Sequence, residues 1–218
     1  MIDFSFLSPV QGRLVDQIEL LHGQAIGKKL SIHTSANKPE LEGVKIAILG
    51  VLESRNSVDH IGEEFQINEI RKAFYKLFPG NWLHGMADLG DIQKGASVED
   101  TYFALIEVIS SLVKANIIPL IIGGSQDLTY ANYRAYDKIS SMVNIVNIDK
   151  SFDLGDSSKP INNGSYLGKI ILEQPYNLFN YTAIGFQTYF NSQEEIDLME
   201  KLYFESYRLG DIAQSIRL

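Results

Sequence analysis

Short apolar runs alternate with amphipathic segments along most of the chain. Three runs have the length and composition of buried strands, and they cover residues 44–51, 117–122 and 143–148. Between them, apolar residues recur at helical spacing, as over 67–78 and 102–113. Strands that alternate with helices form βαβ units, so the pattern predicts a mainly parallel sheet with helices on both faces.

Other segments complete this alternation. Helices are predicted over 14–26, 130–139, 167–172 and 194–203, the last continuing to about residue 208, and strands over 82–86 and 181–185. The sequence Ser97-Val-Glu-Asp100 fits a capping box, which starts a helix by satisfying two free backbone N–H groups. The polar sequence Asp88-Leu-Gly-Asp91 is predicted to form a turn.

The chain has no internal repeat and no stretch with the composition of a linker. We therefore expect one domain over residues 43–218, preceded by an N-terminal extension over residues 1–42. Ligands of mainly parallel sheets bind beyond the carboxyl ends of the strands. On this pattern, residues 123–127 and 149–156 are the candidate functional segments.

Composition excludes several classes of function. The 218 residues are 45% hydrophobic and 21% charged, and 27 acidic against 19 basic side chains give a net charge of −8. Such a charge opposes binding to nucleic acid. The lack of cysteine excludes disulfides and thiolate chemistry and favours a cytoplasmic protein. No apolar run approaches the roughly 18 residues of a membrane span, so no membrane partner is expected.

Two strand ends carry the candidate chemistry. Ile121-Ile-Gly-Gly-Ser-Gln-Asp127 and Val146-Asn-Ile-Asp-Lys-Ser-Phe-Asp153 both change abruptly from apolar to small and acidic residues. Their carboxylates could hold a hard cation, cap a helix or order a loop, or line a small-molecule pocket. The first segment lacks the pattern of a phosphate loop, and no histidine stands near it to activate Ser125.

The order of the segments resembles that of the ureohydrolase family, which comprises arginases, agmatinases and formimidoylglutamases. The resemblance spans about residues 44–213. Residues 121–127 stand where this family has Gly-Gly-Asp-His-Ser, and residues 149–153 stand where it has Asp-Ala-His-x-Asp. Four other segments look like family motifs: Ile48-Leu-Gly-Val51, Ile61-Gly-Glu-Glu-Phe-Gln-Ile-Asn-Glu-Ile-Arg71, Asp88-Leu-Gly-Asp91 and Ala183-Ile-Gly-Phe186.

The resemblance implies a three-layer α/β/α arginase-like fold and a binuclear manganese site of two histidines and four aspartates. In this family a metal-bridging hydroxide attacks the carbon of a guanidinium or amidine, because two cations make water nucleophilic at neutral pH. Carried over by position, the two histidines fall on Gln126 and Ser151, and one preceding aspartate falls on Ser125. Only Asp149 and Asp153 match metal ligands. The family's third motif, Ser-x-Asp-x-Asp-x-x-Asp-Pro, has no counterpart here.

We therefore expect a ureohydrolase-like protein that has lost metal-dependent catalysis and is a scaffold or a ligand-binding relative. No catalytic residue and no cofactor are predicted. A remnant metal site at Asp149 and Asp153, with Asp127 or Asp156 as a further ligand, would hold Mn²⁺ if any metal is retained. The alternative is a manganese-dependent hydrolase of linear amidine C–N bonds, similar to formimidoylglutamase or agmatinase.

The resemblance also bears on assembly. The last strands of the family insert at the centre of its sheet, and we expect this chain to lack them. Its core would then be open, or another chain would fill it. We accordingly expect a homo-oligomer or a part of a longer polypeptide. A small amidine or an amino acid is the expected ligand.

Overall fold

The computed structural model describes residues 2–58, 66–81, 84–156 and 158–215. Its strands are β1 Leu7–Ser8, β2 Ser31–Ile32, β3 Val44–Val51, β4 Gly85–Ile92, β5 Ile118–Ile122, β6 Val143–Ile148, β7 Leu178–Phe186 and β8 Glu205–Arg208. Its helices are α1 Gly12–Ile18, α2 Ile67–Tyr75, α3 Val98–Lys114, α4 Leu128–Lys138, α5 Tyr166–Leu172, α6 Gln193–Lys201 and α7 Leu209–Ser215. The chain forms two compact units, the first from Met1–Arg55 with Asp59–Ser125, the second from Asn56–Val58 with Gln126–Leu218.

The first unit is built on a sheet with the strand order β1-β4-β3-β5, and β2 also pairs with β4. All of these pairings are parallel except that of β1. The middle strands are largely buried. Strand β3 is apolar apart from Lys45, and its residues Ala47, Ile48 and Leu49 have no exposed surface. Helix α3 begins at the predicted capping box and packs against β4 and β5.

The second unit has a parallel sheet with the order β6-β7-β8. Side chains alternate along β6, so Val143, Ile145 and Asn147 are half-buried and the residues between them are exposed. Helices α4 and α5 contact each other and supply buried side chains to the core of this unit. That core comprises Tyr133, Phe152, Leu154, Tyr166, Leu167, Ile170, Tyr181, Ala183, Phe186 and Met199.

The prediction of a mainly parallel α/β fold is confirmed, and β3 and β6 have the predicted bounds. The turn predicted at residues 88–91 is wrong because these residues lie inside β4. The last predicted helix ends at Lys201 rather than near residue 208. Tyr203 adopts a φ of 57°, which a right-handed helix does not accommodate, and β8 follows.

Some predictions meet no test. Residues 61–65 and 82–83, where a family-like segment and a predicted strand begin, lie outside the described residues. The predicted boundary at residue 42 stays a prediction. Along the described ranges, no helix combines the length and apolarity that a membrane crossing needs.

Candidate functional site

Polar side chains gather in the second unit beyond the carboxyl end of β6. Gln126 stands just before α4, and Asn147 is the last inward-facing residue of β6. Asp149, Ser151 and Asp153 follow in the next loop. Tyr166 from the start of α5 and Tyr181 from β7 join them. We call the set of Gln126, Asn147, Tyr166, Tyr181, Asp149, Ser151 and Asp153 the strand-end cluster.

Gln126 and Ser151, which the sequence resemblance predicts to stand at histidine positions, are both hydrogen-bonded to neighbours within this cluster. The amide Nε2 of Gln126 donates to the hydroxyl of Tyr166 at 3.2 Å and, at 3.4 Å, to Oδ1 of Asn147. The hydroxyl of Ser151 donates to Oδ1 of Asp153 at 2.7 Å. Neutral hydrogen-bonded groups therefore stand at these two positions.

Three atoms of the cluster make no hydrogen bond of good geometry within the described residues: Nδ2 of Asn147, Oδ2 of Asp153 and the hydroxyl of Tyr181. Asn147 and Tyr166 nevertheless lie close enough to the Tyr181 hydroxyl, and Tyr166 close enough to Asp153, to lower the pKa values of these two groups against the larger, opposite effect of burial. The exposed fraction is 8% for Asp153 and 0% for Tyr181, so bulk water does not serve these two groups. An unpaired buried polar group costs about 1–3 kcal/mol, and three in one place call for a physical explanation.

Burial controls the ionisation of this cluster. It raises the pKa of Asp153 to about 6, while the Ser151 hydrogen bond lowers that pKa and the negative charge of Asp149 raises it. Burial also raises the pKa of the Tyr181 hydroxyl to about 12. For Tyr166 the direction is the same, again chiefly through burial. Both phenols are therefore neutral at pH 7. Asp153 has a φ of 56°, a left-handed conformation that Asp adopts more readily than most residues.

The described residues of the strand-end cluster do not offer enough donors for a pair of manganese ions. No group of three His, Cys, Asp or Glu side chains that could hold a metal occurs among the residues with a described placement. The carboxylate of Asp156 binds Ser158 and Lys159 instead of joining the strand-end cluster. Asp127 is fully buried at the start of α4. The remnant site at Asp149 and Asp153 stays a prediction.

Sequence reasoning missed a buried ionic cluster in the first unit. Arg71 on α2 donates to Asp88 at 2.8 and 3.1 Å and to Asp91 at 2.6 Å. It also donates to the carbonyl of Gly90 at 2.9 Å, and the Tyr75 hydroxyl donates to Asp88 at 2.7 Å. The signal was the polar sequence at residues 88–91 together with the lone arginine of α2. This arrangement fastens α2 to β4 and offers no unpaired donor to a substrate.

A second ionic contact lies after β3. Glu53 is fully buried and accepts hydrogen bonds from Arg55 at 2.6 and 2.9 Å and from the Thr101 hydroxyl at 2.9 Å. Burial opposes ionisation of Glu53, but the bonds from Arg55 and Thr101 together outweigh it and lower the pKa to about 2. Arg55 also donates to the carbonyls of Ala96 and Ser97 at 2.8 and 2.9 Å, which ties the strand end to the start of α3.

The chain is thus a mainly parallel α/β protein with polar and acidic residues at its strand ends, the edge at which such sheets commonly bind ligands. Within this class, the sequence profile of the arginase family matches residues 44–216. The match covers most of the sequence, and the chain belongs to the arginase family.

Formimidoylglutamases are among its relatives. The formimidoylglutamase of Hahella chejuensis is 28% identical over 146 residues, which are 62% of this chain and 44% of that protein. The formimidoylglutamase of Streptococcus gordonii is 27% identical over 178 residues, 76% of this chain and 54% of that protein. The chain thus spans about half the length of the curated relatives that it matches.

A solved structure shows the same fold. The crystal structure of formimidoylglutamase from Bacillus subtilis matches with a TM-score of 0.71 and 18% identity, covering 82% of this chain and 59% of that chain. This protein is therefore an arginase-family, formimidoylglutamase-like chain with the arginase-like fold.

Proposed function

We propose that this chain is a formimidoylglutamase-like member of the arginase family that has lost metal-dependent hydrolysis and is now a scaffold or a ligand-binding relative. One observation carries the proposal. Gln126 and Ser151, which the sequence resemblance assigns to the family's metal-binding histidines, are neutral and already hydrogen-bonded to neighbouring side chains. Amide and hydroxyl groups are weak ligands for divalent transition ions.

Metal-dependent hydrolysis needs cations that lower the pKa of a bound water. Asp149 and Asp153 are the carboxylates of this cluster, and Ser151 already occupies one oxygen of Asp153. Two carboxylates alone supply too few ligands for an octahedral manganese site. The chemistry that remains is hydrogen bonding to a small polar molecule.

The alternative function is manganese-dependent hydrolysis of a linear amidine. The formimidoylglutamase relatives favour it, as does Oδ2 of Asp153, which makes no hydrogen bond of good geometry among the described residues. Crystal structures of Trypanosoma cruzi formiminoglutamase contain Mn²⁺ and match with a TM-score of 0.68 at 17% identity, over 80% of this chain and 63% of that chain. In this alternative, Asp149 and Asp153 hold one manganese ion, and further ligands come from outside the 218 residues.

The test combines metal analysis with an activity assay on the purified chain. After incubation with excess Mn²⁺ and gel filtration, we expect no retained manganese and no release of formamide or ammonia from formimidoylglutamate. Retained manganese and product release, both abolished by Asp149→Ala, would overturn the proposal and establish the alternative. Asp156→Ala is the matched control because its carboxylate lies outside the cluster.

A back-substitution sharpens this test. Gln126→His combined with Ser151→His would place two imidazoles beside Asp149 and Asp153, and we expect it to raise retained metal from none to about one ion per chain. Gln193→His combined with Ser158→His adds two histidines at exposed positions and controls for nonspecific binding. Equal metal retention by both double variants would contradict the assignment of residues 126 and 151 to the metal positions.

A further inference from the structure

The first unit contains a groove between α1 and α2 that shares no residue with the strand-end cluster. Its volume is about 340 Å³, near the lower end of the range that is typical of small-molecule sites. Its apolar lining comes from Leu14 and Ile18 on α1, from Leu21 just after α1, and from Tyr75 on α2. Leu14, Ile18 and Tyr75 also belong to one buried core cluster, so this part of the groove is a packed, fixed surface.

The rest of the lining is exposed or charged. Gln17 and Leu20 stand at the surface, and Leu20 has an exposed fraction of 86%. Lys72 and Lys76 lie one helical turn apart on α2. Within the described part of the chain, no acidic side chain lines this groove. The chain as a whole carries a net charge of −8, so the groove is a local reversal of sign beside an apolar surface.

The two ammonium groups are available to a ligand. Lys72 lies 3.6 Å from Glu69, but both side chains are largely solvated, and such a surface pair contributes little. Lys76 is exposed and makes no ion pair with any residue whose placement is described. The Tyr75 hydroxyl, by contrast, donates to Asp88, so Tyr75 contributes only its ring to the groove. The groove therefore combines an apolar surface with cationic donors.

A ligand that matches both parts needs an alkyl chain and an anionic head. An alkylammonium ion would bring like charges together at the lysines. A small anion without a chain would leave the apolar surface in water, and the volume of the groove excludes a long acyl chain.

We infer that the groove between α1 and α2 binds a medium-chain alkyl carboxylate, with its chain against Leu14, Ile18 and Tyr75 and its head at Lys72 and Lys76. The site lies in the other unit from the strand-end cluster, and the inference does not depend on the proposed function. A ligand that bridges α1 and α2 binds only the folded chain, so its binding stabilises the first unit.

The experiment is a ligand-observed NMR titration of the full chain with octanoate, octanol and octylammonium, all below the concentrations at which they form micelles. Octanoate should bind saturably with a Kd on the order of millimolar or below, because few atoms make contact. Octanol should bind several-fold more weakly, since it lacks the ionic contacts, and octylammonium more weakly still. Hexanoate should bind about tenfold more weakly than octanoate, because each buried methylene group contributes roughly a fourfold gain in affinity.

A first variant fills the groove. Gln17 lines it and is exposed on α1, so Gln17→Trp can place its ring in the groove without disturbing the core. The affinity for octanoate should fall by about tenfold or more, because a bound chain and the new ring would compete for the same space. Gln93→Trp makes the same change at an exposed position outside the groove and should bind as the unchanged chain does.

A second variant removes the charge. Lys72→Gln combined with Lys76→Gln should lower the affinity for octanoate to about that of octanol and leave octanol binding unchanged. Lys94→Gln combined with Lys114→Gln removes the same charge from exposed positions of the first unit and is the matched control. Hydrogen exchange locates the site, because octanoate should slow exchange in α1 and α2 and leave peptides from β6 and β7 unchanged.

Several outcomes would overturn the inference: binding of octanoate that does not saturate, octylammonium binding as tightly as octanoate, or full octanoate affinity in both the Gln17→Trp chain and the variant that lacks the two groove lysines. A light-scattering mass above that of the monomer, lowered by Gln17→Trp, would instead assign the groove to a second copy of this chain. Circular dichroism establishes that each variant is folded. If Gln17→Trp does not fold, the substitution of the two solvated lysines carries the test.

Discussion

Substitution of Arg71 by leucine is the sharpest test of what stabilises the first unit. Arg71 and Asp88 have no exposed side-chain surface, and Asp91 is 19% exposed. Arg71→Leu removes three hydrogen bonds to carboxylates and one to the carbonyl of Gly90. It leaves a buried carboxylate without its cation.

Breaking a buried ion pair from one side costs about 3–5 kcal/mol. Asp88 keeps the Tyr75 hydroxyl at 2.7 Å and the Gly90 N–H at 2.9 Å, so the lower half of this range is expected, about 3–4 kcal/mol. Because whole domains are stable by only about 5–15 kcal/mol, this loss is large enough to measure easily. Arg71→Lys keeps the charge but loses the two-pronged geometry and should cost about half as much.

The assay is urea unfolding followed by circular dichroism, with hydrogen exchange to locate the effect. Faster exchange is expected in α2 and β4, and peptides from β6 and β7 serve as the internal reference. Adding Asp88→Asn to Arg71→Leu removes the stranded charge and should recover about 1–2 kcal/mol. A cost below 1 kcal/mol for Arg71→Leu, or no recovery in the double variant, would refute the reasoning.

Three further predictions follow from the same physical arguments. Glu53 ionises with a pKa lowered from 4.5 to about 2, so its contribution to stability is present above pH 4.5 and is lost as the pH falls toward 2. Acid titrations of stability should therefore be flatter in Glu53→Gln, and an unchanged slope would contradict the assignment. Val146 and Ile148 are 60% and 80% exposed on β6, at the edge of the second unit's sheet. Light scattering should therefore show self-association of the chain, and Val146→Lys combined with Ile148→Lys should reduce it. Identical masses for the unchanged chain and this variant would count against the prediction. Ser97→Ala removes the α3 cap and should cost about 1 kcal/mol in urea unfolding, whereas no loss would mean that the capping box is dispensable.

The elements that sequence predicted best are those with a local physical cause. Strands β3 and β6 are short, mainly apolar runs, and α3 begins at a capping box formed by residues three apart. The prediction of a turn at residues 88–91 was wrong because two aspartates are typical of a turn unless a buried cation pairs with them. That cation is Arg71, 17 positions before Asp88, and its burial depends on tertiary structure.

Strand β8 was missed for another reason. All four of its residues are exposed, so it has no alternation of apolar and polar side chains to recognise. Its position follows from pairing with β7, a contact between residues more than twenty positions apart, such as Thr182 with Glu205. A local sequence pattern does not indicate such a pairing.

The candidate site divides in the same way. Asp149 and Asp153 were predicted because a family motif places them at a strand end, and Gln126 and Ser151 because they fall on its histidines. The family motif says nothing of Tyr166 or Tyr181. Their large buried rings resemble ordinary core side chains, and only the folded sheet brings their hydroxyls to the carboxylates.

The neutral residues of the cluster supply the hydrogen bonds that a buried carboxylate needs when no cation balances its charge. A buried Asp153 must be held by hydrogen-bond donors, and the Ser151 hydroxyl supplies one at 2.7 Å. Gln126 donates to Tyr166 and Asn147, and Tyr166 stands beside the same carboxylate. Under the proposed function, the substitutions that removed the metal ligands are therefore the same ones that supplied these hydrogen-bond donors. Ser151→Ala should accordingly destabilise the second unit by about 1–3 kcal/mol, because Asp153 would lose its donor. If urea unfolding showed no loss in this variant, with Ser158→Ala as the exposed control, Ser151 would not have the role assigned to it here.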